Sequence, residues 1–235
     1  MTLVKVVQSV LKANDAVAAA NRERLSKRGI LGLNLMSAPG SGKTTLLQKT
    51  IPSLESPCAV LVGDLQTTRD AERLQGVARE TVQINTGRGC HLSASEVADG
   101  LDAMELDEVD YLFIENVGNM VCPASHDLGE HARCIVLSVP EGDDKVAKYP
   151  TLFQTADVIL LNKIDLLEVL DFSLDSVLED LKRVNTSAPL LMVSARTGEG
   201  LPEWTAWLKN RKDRLRKERL SSDPGRLEAP ADRLR

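Results

Sequence analysis

Three groups of residues have types and spacings that do chemistry. The first is Gly40-Ser41-Gly42-Lys43-Thr44-Thr45, which follows an apolar run over residues 31–36 and opens a segment that reads as a helix. A strand, a glycine-rich turn and a helix with Gly-Lys-Thr at the junction form a phosphate-binding loop. Backbone N–H groups of such a turn point at one spot, and the helix dipole favours an anion there. Gly40 and Gly42 let the backbone approach phosphates without a Cβ in the way. Lys43 is expected to reach the β- and γ-phosphates, and the Thr44 hydroxyl to hold Mg²⁺. The usual pattern opens on Gly where this chain has Ser37. Serine is small, so the cradle is expected to survive.

The second group sits at strand ends. An apolar run over residues 58–62 leads into Gly63-Asp64, and a run over residues 109–115 ends in Glu115-Asn116-Val117-Gly118. In open α/β sheets, ligands bind outside the carboxyl ends of strands. Asp64 and Glu115 are therefore expected to serve Mg²⁺, directly or through water. The alternative for Asp64 is to cap a helix over residues 67–74. The Gly118 N–H is placed to bond a γ-phosphate. Lys43, Asp64 and Glu115 are the catalytic candidates. No arginine finger is visible and only Asp64 could orient water, so slow intrinsic turnover is expected. Further on, a strand over residues 158–161 leads into Asn162-Lys163-Ile164-Asp165. A carboxylate there accepts both the N1–H and the exocyclic amine of guanine, the lysine stem stacks on the base, and the asparagine ties loops together. After a strand over residues 190–193, a backbone N–H at Ser194-Ala195 would meet the guanine O6. GTP and GDP are the expected ligands.

The third group is sulfur and imidazole. Cys90 and His91 are adjacent on a loop after a strand over residues 82–85, and Cys122 lies four residues past Gly118. Two thiolates and an imidazole suit Ni²⁺ and/or Zn²⁺, with a fourth position open for exchange or for a ligand from a second copy. Cys58 and Cys134 lie inside apolar strand patterns and read as inert core residues. His126 and His131 follow Cys122. Either could assist, but both read as surface side chains. Because Gly118 and Cys122 share one loop, loading GTP is expected to move one metal ligand relative to Cys90 and His91. Nucleotide state and metal affinity would then be linked, each altering the other.

The elements that must position these groups alternate along the chain. Seven short apolar strands, over residues 31–36, 58–62, 82–85, 109–115, 134–139, 158–161 and 190–193, are separated by helical or loop segments. That pattern specifies a three-layer α/β P-loop NTPase with a mostly parallel sheet and helices on both faces. The helix after the phosphate loop is expected to end at about residue 51, stopped by Pro52. Ser93 or Ser95 opens a helix to about residue 104. A helix over residues 201–208 places Trp204 and Trp207 on its packing face. Leu3, Val7, Val10, Leu11 and Val17 recur at helical spacing, so residues 2–28 read as an amphipathic helix ahead of the first strand. The expected division is an N-terminal accessory helix over 1–29, a GTPase domain over 30–209 and a basic tail over 210–235, helical to about residue 220 and disordered beyond. The 235 residues suit one α/β domain. With 43% hydrophobic but only 3% aromatic residues, the core must be aliphatic. The net charge of −5 disfavours wholesale nucleic-acid binding. No apolar run approaches bilayer length, and the N-terminal residues lack a signal core, so neither membrane nor export is expected and a cytoplasmic location is. Four cysteines without paired spacing do not form a disulfide framework.

Taken together, SAPGSGKTT, GDLQTTRDAERL, NTGRGCHLSASEV, ENVGNMVCPASHDLGEHA, VPEGDDKVAKYP and NKIDLL resemble the HypB family, the GTPases of nickel insertion into [NiFe]-hydrogenase. The resemblance covers about residues 15–208. UreG, the urease accessory GTPase, is a cousin with a different metal motif. The resemblance implies GTP hydrolysis, a metal site at Cys90, His91 and Cys122, a homodimer favoured by GTP, and handover with a HypA-type metallochaperone to the hydrogenase large-subunit precursor. Some members carry an N-terminal cysteine motif or a histidine-rich tract. This chain has neither, so nickel storage is not expected. The basic C-terminal segment also lies outside the family pattern. The alternative readings are a related GTPase loading urease or a cobalamin enzyme, a module using guanine nucleotide only as a structural ligand, and a kinase. Cys90-His91 with Cys122 argues against the first, Lys43, Thr44, Asp64 and Glu115 against the second, and Asn162-Lys163-x-Asp165 against the third.

Overall fold

A computed structural model describes residues 3–64, 68–87 and 89–222, with the backbone alone for 3–10 and 222. The apolar stripe expected at Leu3, Val7 and Val10, the helix start expected at Thr67 and the tail beyond residue 222 lie outside the described parts. The chain order is α1 (Leu3–Arg28), β1 (Leu31–Ser37), α2 (Lys43–Leu54), β2 (Cys58–Asp64), α3 (Arg69–Leu74), β3 (Glu80–Asn85), α4 (Ala94–Asp102), β4 (Tyr111–Glu115), β5 (Ala132–Ser138), α5 (Lys145–Lys148), α6 (Pro150–Gln154), β6 (Val158–Asn162), α7 (Leu174–Val184), β7 (Leu190–Met192) and α8 (Leu201–Ser222).

The strands form one sheet in the order β3-β2-β4-β1-β5-β6-β7, and every pairing is parallel. A parallel sheet needs helices on both faces, which is why its central strands are mainly apolar, whereas the edge strand β3 alternates polar and apolar residues. All seven residues of β1 are buried. Leu31, Leu33 and Leu35 face α2, α3 and α8, where Leu46, Leu47, Leu74, Trp204 and Leu208 close the core. The opposite face is covered by α1 and α4 through Leu25, Val97 and Leu101, and by α6 and α7 through Phe153, Val177 and Leu181. With so few aromatics, Trp204 is the largest fully buried side chain, its indole N–H donating to Thr50 Oγ1 at 3.0 Å. β1 is central. The chain leaves it towards β2 and β3, returns at β4, and then runs outward through β5, β6 and β7. This reversal opens a crevice at the carboxyl ends of β1, β4 and β5.

One sequence expectation changes and one helix is added. Pro52 does not end α2, which runs on to Leu54 before Glu55 closes it in a left-handed cap. A proline removes only one hydrogen bond, and Ile51 and Leu54 are buried, so packing carries the last turn across it. Helix α7, unassigned in the sequence, is nucleated by Ser173, whose hydroxyl accepts from Ser176 N–H at 3.2 Å. Its signal was present in Leu174, Val177, Leu178 and Leu181 at helical spacing. As expected of an accessory helix, α1 packs on the domain, with Ala18 and Leu25 wholly buried. The expected helical extension past the tryptophans runs to Ser222 as part of α8, and its basic part is docked. Lys212 Nζ donates to Gly29 O at 2.7 Å and Asp110 O at 2.6 Å.

Candidate nucleotide and metal site

β1 ends at Ser37 and α2 starts at Lys43, so residues 38–42 form the turn between them. Gly42 has φ +96°, and a Cβ there would lie 2.6 Å from Asn162 Nδ2, so no other residue fits. Lys43 is only 8% exposed, and its Nζ donates to Ser37 Oγ at 2.9 Å. The residue that departs from the usual motif therefore docks the motif's lysine. Burial lowers the Lys43 pKa, opposed by the charges of Glu115, Asp70, Glu141 and Asp64. Phosphates beside Nζ would supply the counter-charge that favours its cationic form.

Thr44 Oγ1 donates to Glu115 Oε1 at 2.8 Å. Glu115 is 3% exposed, and its Oε2 has no hydrogen-bond partner among the described residues. Burial pushes the Glu115 carboxyl up to about 7, against the charge of Lys43 and the Thr44 hydrogen bond. A buried carboxylate oxygen without a donor is unfavourable unless a cation or a cation-bound water reaches it. Thr44 and Glu115 thus fit Mg²⁺. Asp64 ends β2, and its charge acts on Lys43. It does not cap α3, where Thr68 holds that position. Gly118 lies against the phosphate loop, since a Cβ on it would fall 2.9 Å from Pro39 Cα.

Residues expected to read the base lie around a cavity of about 190 Å³ lined by Gly42, Thr45, Asn162, Lys163, Asp165, Leu166, Ala195 and Arg196. Asn162 Nδ2 donates to Ser41 O at 2.8 Å and its Oδ1 accepts from Ala195 N–H at 3.0 Å, so one side chain joins three loops. Lys163, with φ +63°, reaches across to Gly40 O at 2.6 Å. Asp165 Oδ1 accepts from Ser194 Oγ at 2.5 Å, and its Oδ2 lies 3.4 Å from Arg196 Nε. The Ser194 N–H donates to Glu199 O at 2.9 Å. An O6 contact through Ala195 therefore shares a donor with Asn162.

Cys90, His91 and Cys122 come together from two loops, with ligand atoms all within 4.8 Å of one another. Metal–ligand bonds of about 2.0–2.3 Å span such separations. Cys90 is exposed, and its thiol pKa is raised, first by hydrogen bonding with Cys122 and then by desolvation. Burial, followed by the neighbouring His126, lowers the His91 pKa, which keeps the imidazole in its neutral, ligating form. Both histidines read as surface residues are placed otherwise. The His126 ring lies 3.9 Å from that of His91, and its Nδ1 is 2.9 Å from Cys122 O. His131 is wedged between α1 and β1, accepting from Gly32 N–H at 3.0 Å and meeting Ser26 Oγ at 2.9 Å. Cys58 and Cys134 are buried, and burial pushes the Cys58 thiol up to about 12 and raises the Cys134 thiol as well.

Sequence reasoning overlooked Glu141, which accepts at one oxygen from Ser41 Oγ at 2.6 Å and Ser138 Oγ at 2.5 Å. It also overlooked Asn34, Asn116 and Glu130, polar residues at most 4% exposed. An asparagine inside the apolar run of β1 was the one visible signal.

This crevice, with its lysine, its buried carboxylate and its base cavity, defines a P-loop nucleotide-binding protein carrying a thiol–imidazole cluster beside the loop that follows β4. The family described as CobW/HypB/UreG, nucleotide-binding domain, matches residues 32–192. The hydrogenase maturation factor HypB of Azotobacter chroococcum is 47% identical over 234 residues, covering 99% of this chain and 75% of that protein. The hydrogenase/urease maturation factor HypB of Helicobacter pylori strain 26695 is 43% identical, covering 89% of this chain and 88% of its own. The crystal structure of Helicobacter pylori HypB in complex with nickel superposes with a TM-score of 0.83 at 42% identity, over 86% of this chain and 96% of that one. The chain belongs to the CobW/HypB/UreG family and, within it, to the HypB hydrogenase maturation factors.

Proposed function

We propose that this protein is a GTP-hydrolysing metallochaperone that delivers nickel during [NiFe]-hydrogenase maturation, its metal affinity set by the bound nucleotide. The observation that carries the reading is the placement of Cys122 on the loop that starts at Glu115 and Gly118, opposite Cys90 and His91. Lys43, Thr44 and the turn from Gly40 to Thr45 bind the phosphates. Asn162, Lys163, Asp165, Ser194 and Ala195 read guanine, and Gly118 contacts the γ-phosphate. Thr44, Asp64 and Glu115 hold Mg²⁺, which supplies charge neutralisation on the transferred phosphoryl group. Lys43 adds a fixed positive charge, and Asp64 orients the attacking water. The cargo, Ni²⁺ or in its place Zn²⁺, is taken by Cys90, His91 and Cys122. A GTP-favoured homodimer, a HypA-type metallochaperone and the hydrogenase large-subunit precursor are the proposed partners, in the cytoplasm.

Two measurements test this. Phosphate release should be seen with GTP and be at least ~100-fold lower with ATP, since a carboxylate accepting two donors rejects the adenine pattern. Titration with Ni²⁺ should give different affinities in the GDP state and with a non-hydrolysable GTP analogue. Equal affinities would remove the switch, and equal use of ATP would remove the guanine reading. The Helicobacter relative named for both hydrogenase and urease favours a second reading, delivery to a urease-type enzyme. Capture of the apo-target from extract separates the two.

A further inference from the structure

The buried polar residues behind the metal loop do more than pack. Asn34 is wholly buried, Asn116 is 2% exposed and Glu130 is 4% exposed, all inside a core built mainly of aliphatic side chains. Such groups are unfavourable in a core unless every one is bonded, and then they fix a single arrangement. Here they connect. Asn116 Oδ1 accepts from Leu92 N–H at 3.1 Å, the residue directly after Cys90-His91, and from Val117 N–H at 2.9 Å. Asn116 Nδ2 donates to Asn34 Oδ1 at 3.2 Å, and Asn34 Nδ2 to Glu130 Oε1 at 3.4 Å. The same Glu130 oxygen accepts from Arg133 Nε at 2.7 Å. The Arg133 guanidinium donates to Ala124 O and His126 O, both at 3.3 Å. Those two carbonyls belong to the turn that Cys122 opens. One chain of hydrogen bonds thus reaches both ligand-bearing segments, and its centre is the residue between Glu115 and Val117-Gly118. On the open side of the same loop, Asn119 Nδ2 donates to Cys90 O at 3.2 Å.

We propose that Asn116 is a positioning residue of the metal site: it holds Cys90 and His91 through the Leu92 N–H, and holds the Cys122 turn through Asn34, Glu130 and Arg133. This inference rests on the reading of Cys90, His91 and Cys122 as nickel ligands. The device also gives nucleotide–metal linkage a physical route. A displacement of Gly118 moves Asn116 by its backbone and disturbs the bonds that hold the two ligand segments in register, so that Cys122 shifts relative to Cys90 and His91.

The test uses the full chain without nucleotide, so that it does not depend on linkage. Three variants are compared with wild type: Asn116→Ser, which cuts both branches; Asn34→Leu, which cuts only the branch to the Cys122 turn; and Arg133→Lys, a conservative change at the outer end. Groups behind metal ligands commonly alter affinity by about 10–100-fold. Asn116→Ser should weaken Ni²⁺ binding about tenfold or more, shift the thiolate-to-nickel charge-transfer absorption, and speed hydrogen exchange at the Leu92 amide. Asn34→Leu and Arg133→Lys should weaken Ni²⁺ binding by smaller factors and shift the same absorption, with Leu92 exchange and GDP affinity close to wild type. A purely structural role would lower the unfolding midpoint while leaving the spectrum and Kd of the folded protein unchanged. That result, in variants that remain folded, overturns the proposal. Wild-type protein that binds nickel with unaltered variants removes only this inference, whereas wild type that binds none removes the site as well.

Discussion

At the scale of single residues, the site follows from donors and acceptors whose roles are set by chemistry. Asp165 is the sharpest case. Its carboxylate is held by Ser194 and flanked by Arg196, so it faces the base cavity in one orientation. Asp165→Asn replaces one acceptor with a donor, which faces the guanine N1–H and amine with a clash. GDP affinity should fall at least ~100-fold by titration, and xanthosine diphosphate, which presents a carbonyl where guanine has its amine, should bind better than GDP. Retention of guanine preference would displace Asp165 from this role. Residues of this kind were legible because motif spacing places them by itself: Lys43, Thr44, Glu115, Asn162 and Asp165 need only a strand before them. Asn34, Asn116 and Glu141 were not, because a lone polar residue in an apolar run has no partner until the strands are laid side by side. His131 was misread for the same reason. Nothing near it in sequence announces that α1 and β1 close over it.

At the scale of elements, α1 is the least expected contributor. Asn21 Nδ2 donates to Ala94 O at 2.8 Å and to Leu128 O at 3.0 Å, and Asn14 accepts from Ala94 N–H at 2.9 Å while donating to Asp127 O at 2.7 Å. Two asparagines two helical turns apart therefore staple the segment after Cys90-His91 to the segment after Cys122. Asn21→Ala removes both buried hydrogen bonds and should lower stability by roughly 2 kcal/mol in denaturant unfolding, with GDP affinity unchanged. A change under about 0.5 kcal/mol would show the staple to be idle. The same helix meets His131, which burial, with the charges of Arg22, Arg211 and Lys212, holds neutral down to about pH 4. Its folded pKa lies below the unfolded value of about 6.5. The unfolded chain therefore binds the extra proton first, and this stability is present above pH 6.5 and lost as pH falls towards 4. The loss should be on the order of 2 kcal/mol by urea unfolding at pH 7 and pH 5, and His131→Asn should flatten it. An identical slope in the variant would assign the acid sensitivity to other groups. The succession of strands along the chain and the strand-to-loop junctions were readable in sequence because period and turn chemistry are local. The staple was not, because it joins residues 73 and 107 positions apart.

At the scale of the whole molecule, the central strands bring two ligand sites to one end of the sheet. β4 pairs with β1 so that Glu115 lies beside Leu35, just before the phosphate loop, and the chain leaving Glu115 reaches Cys122 within seven residues. This short segment is packed against Pro39 at Gly118, so a displacement there has a direct covalent path to Cys122. Linkage then imposes a quantitative demand. If a GTP analogue changes nickel affinity by some factor relative to GDP, nickel must change the ratio of analogue to GDP affinity by the same factor. We expect that factor to lie between about 5 and 150, the usual range for coupled sites. Cys122→Ala should bring it close to one while GDP affinity stays within about twofold, because the proposed switch acts through the thiol on the shared segment. Cys90→Ala should weaken nickel in both nucleotide states and leave part of the factor in place, since Cys122 and His91 still lie on the two segments whose separation changes. Four titrations, each metal condition against each nucleotide, close the cycle. A cycle that fails to close would point to a change of oligomeric state between conditions. A closed cycle with a factor of one would mean that the two sites share a scaffold and nothing more.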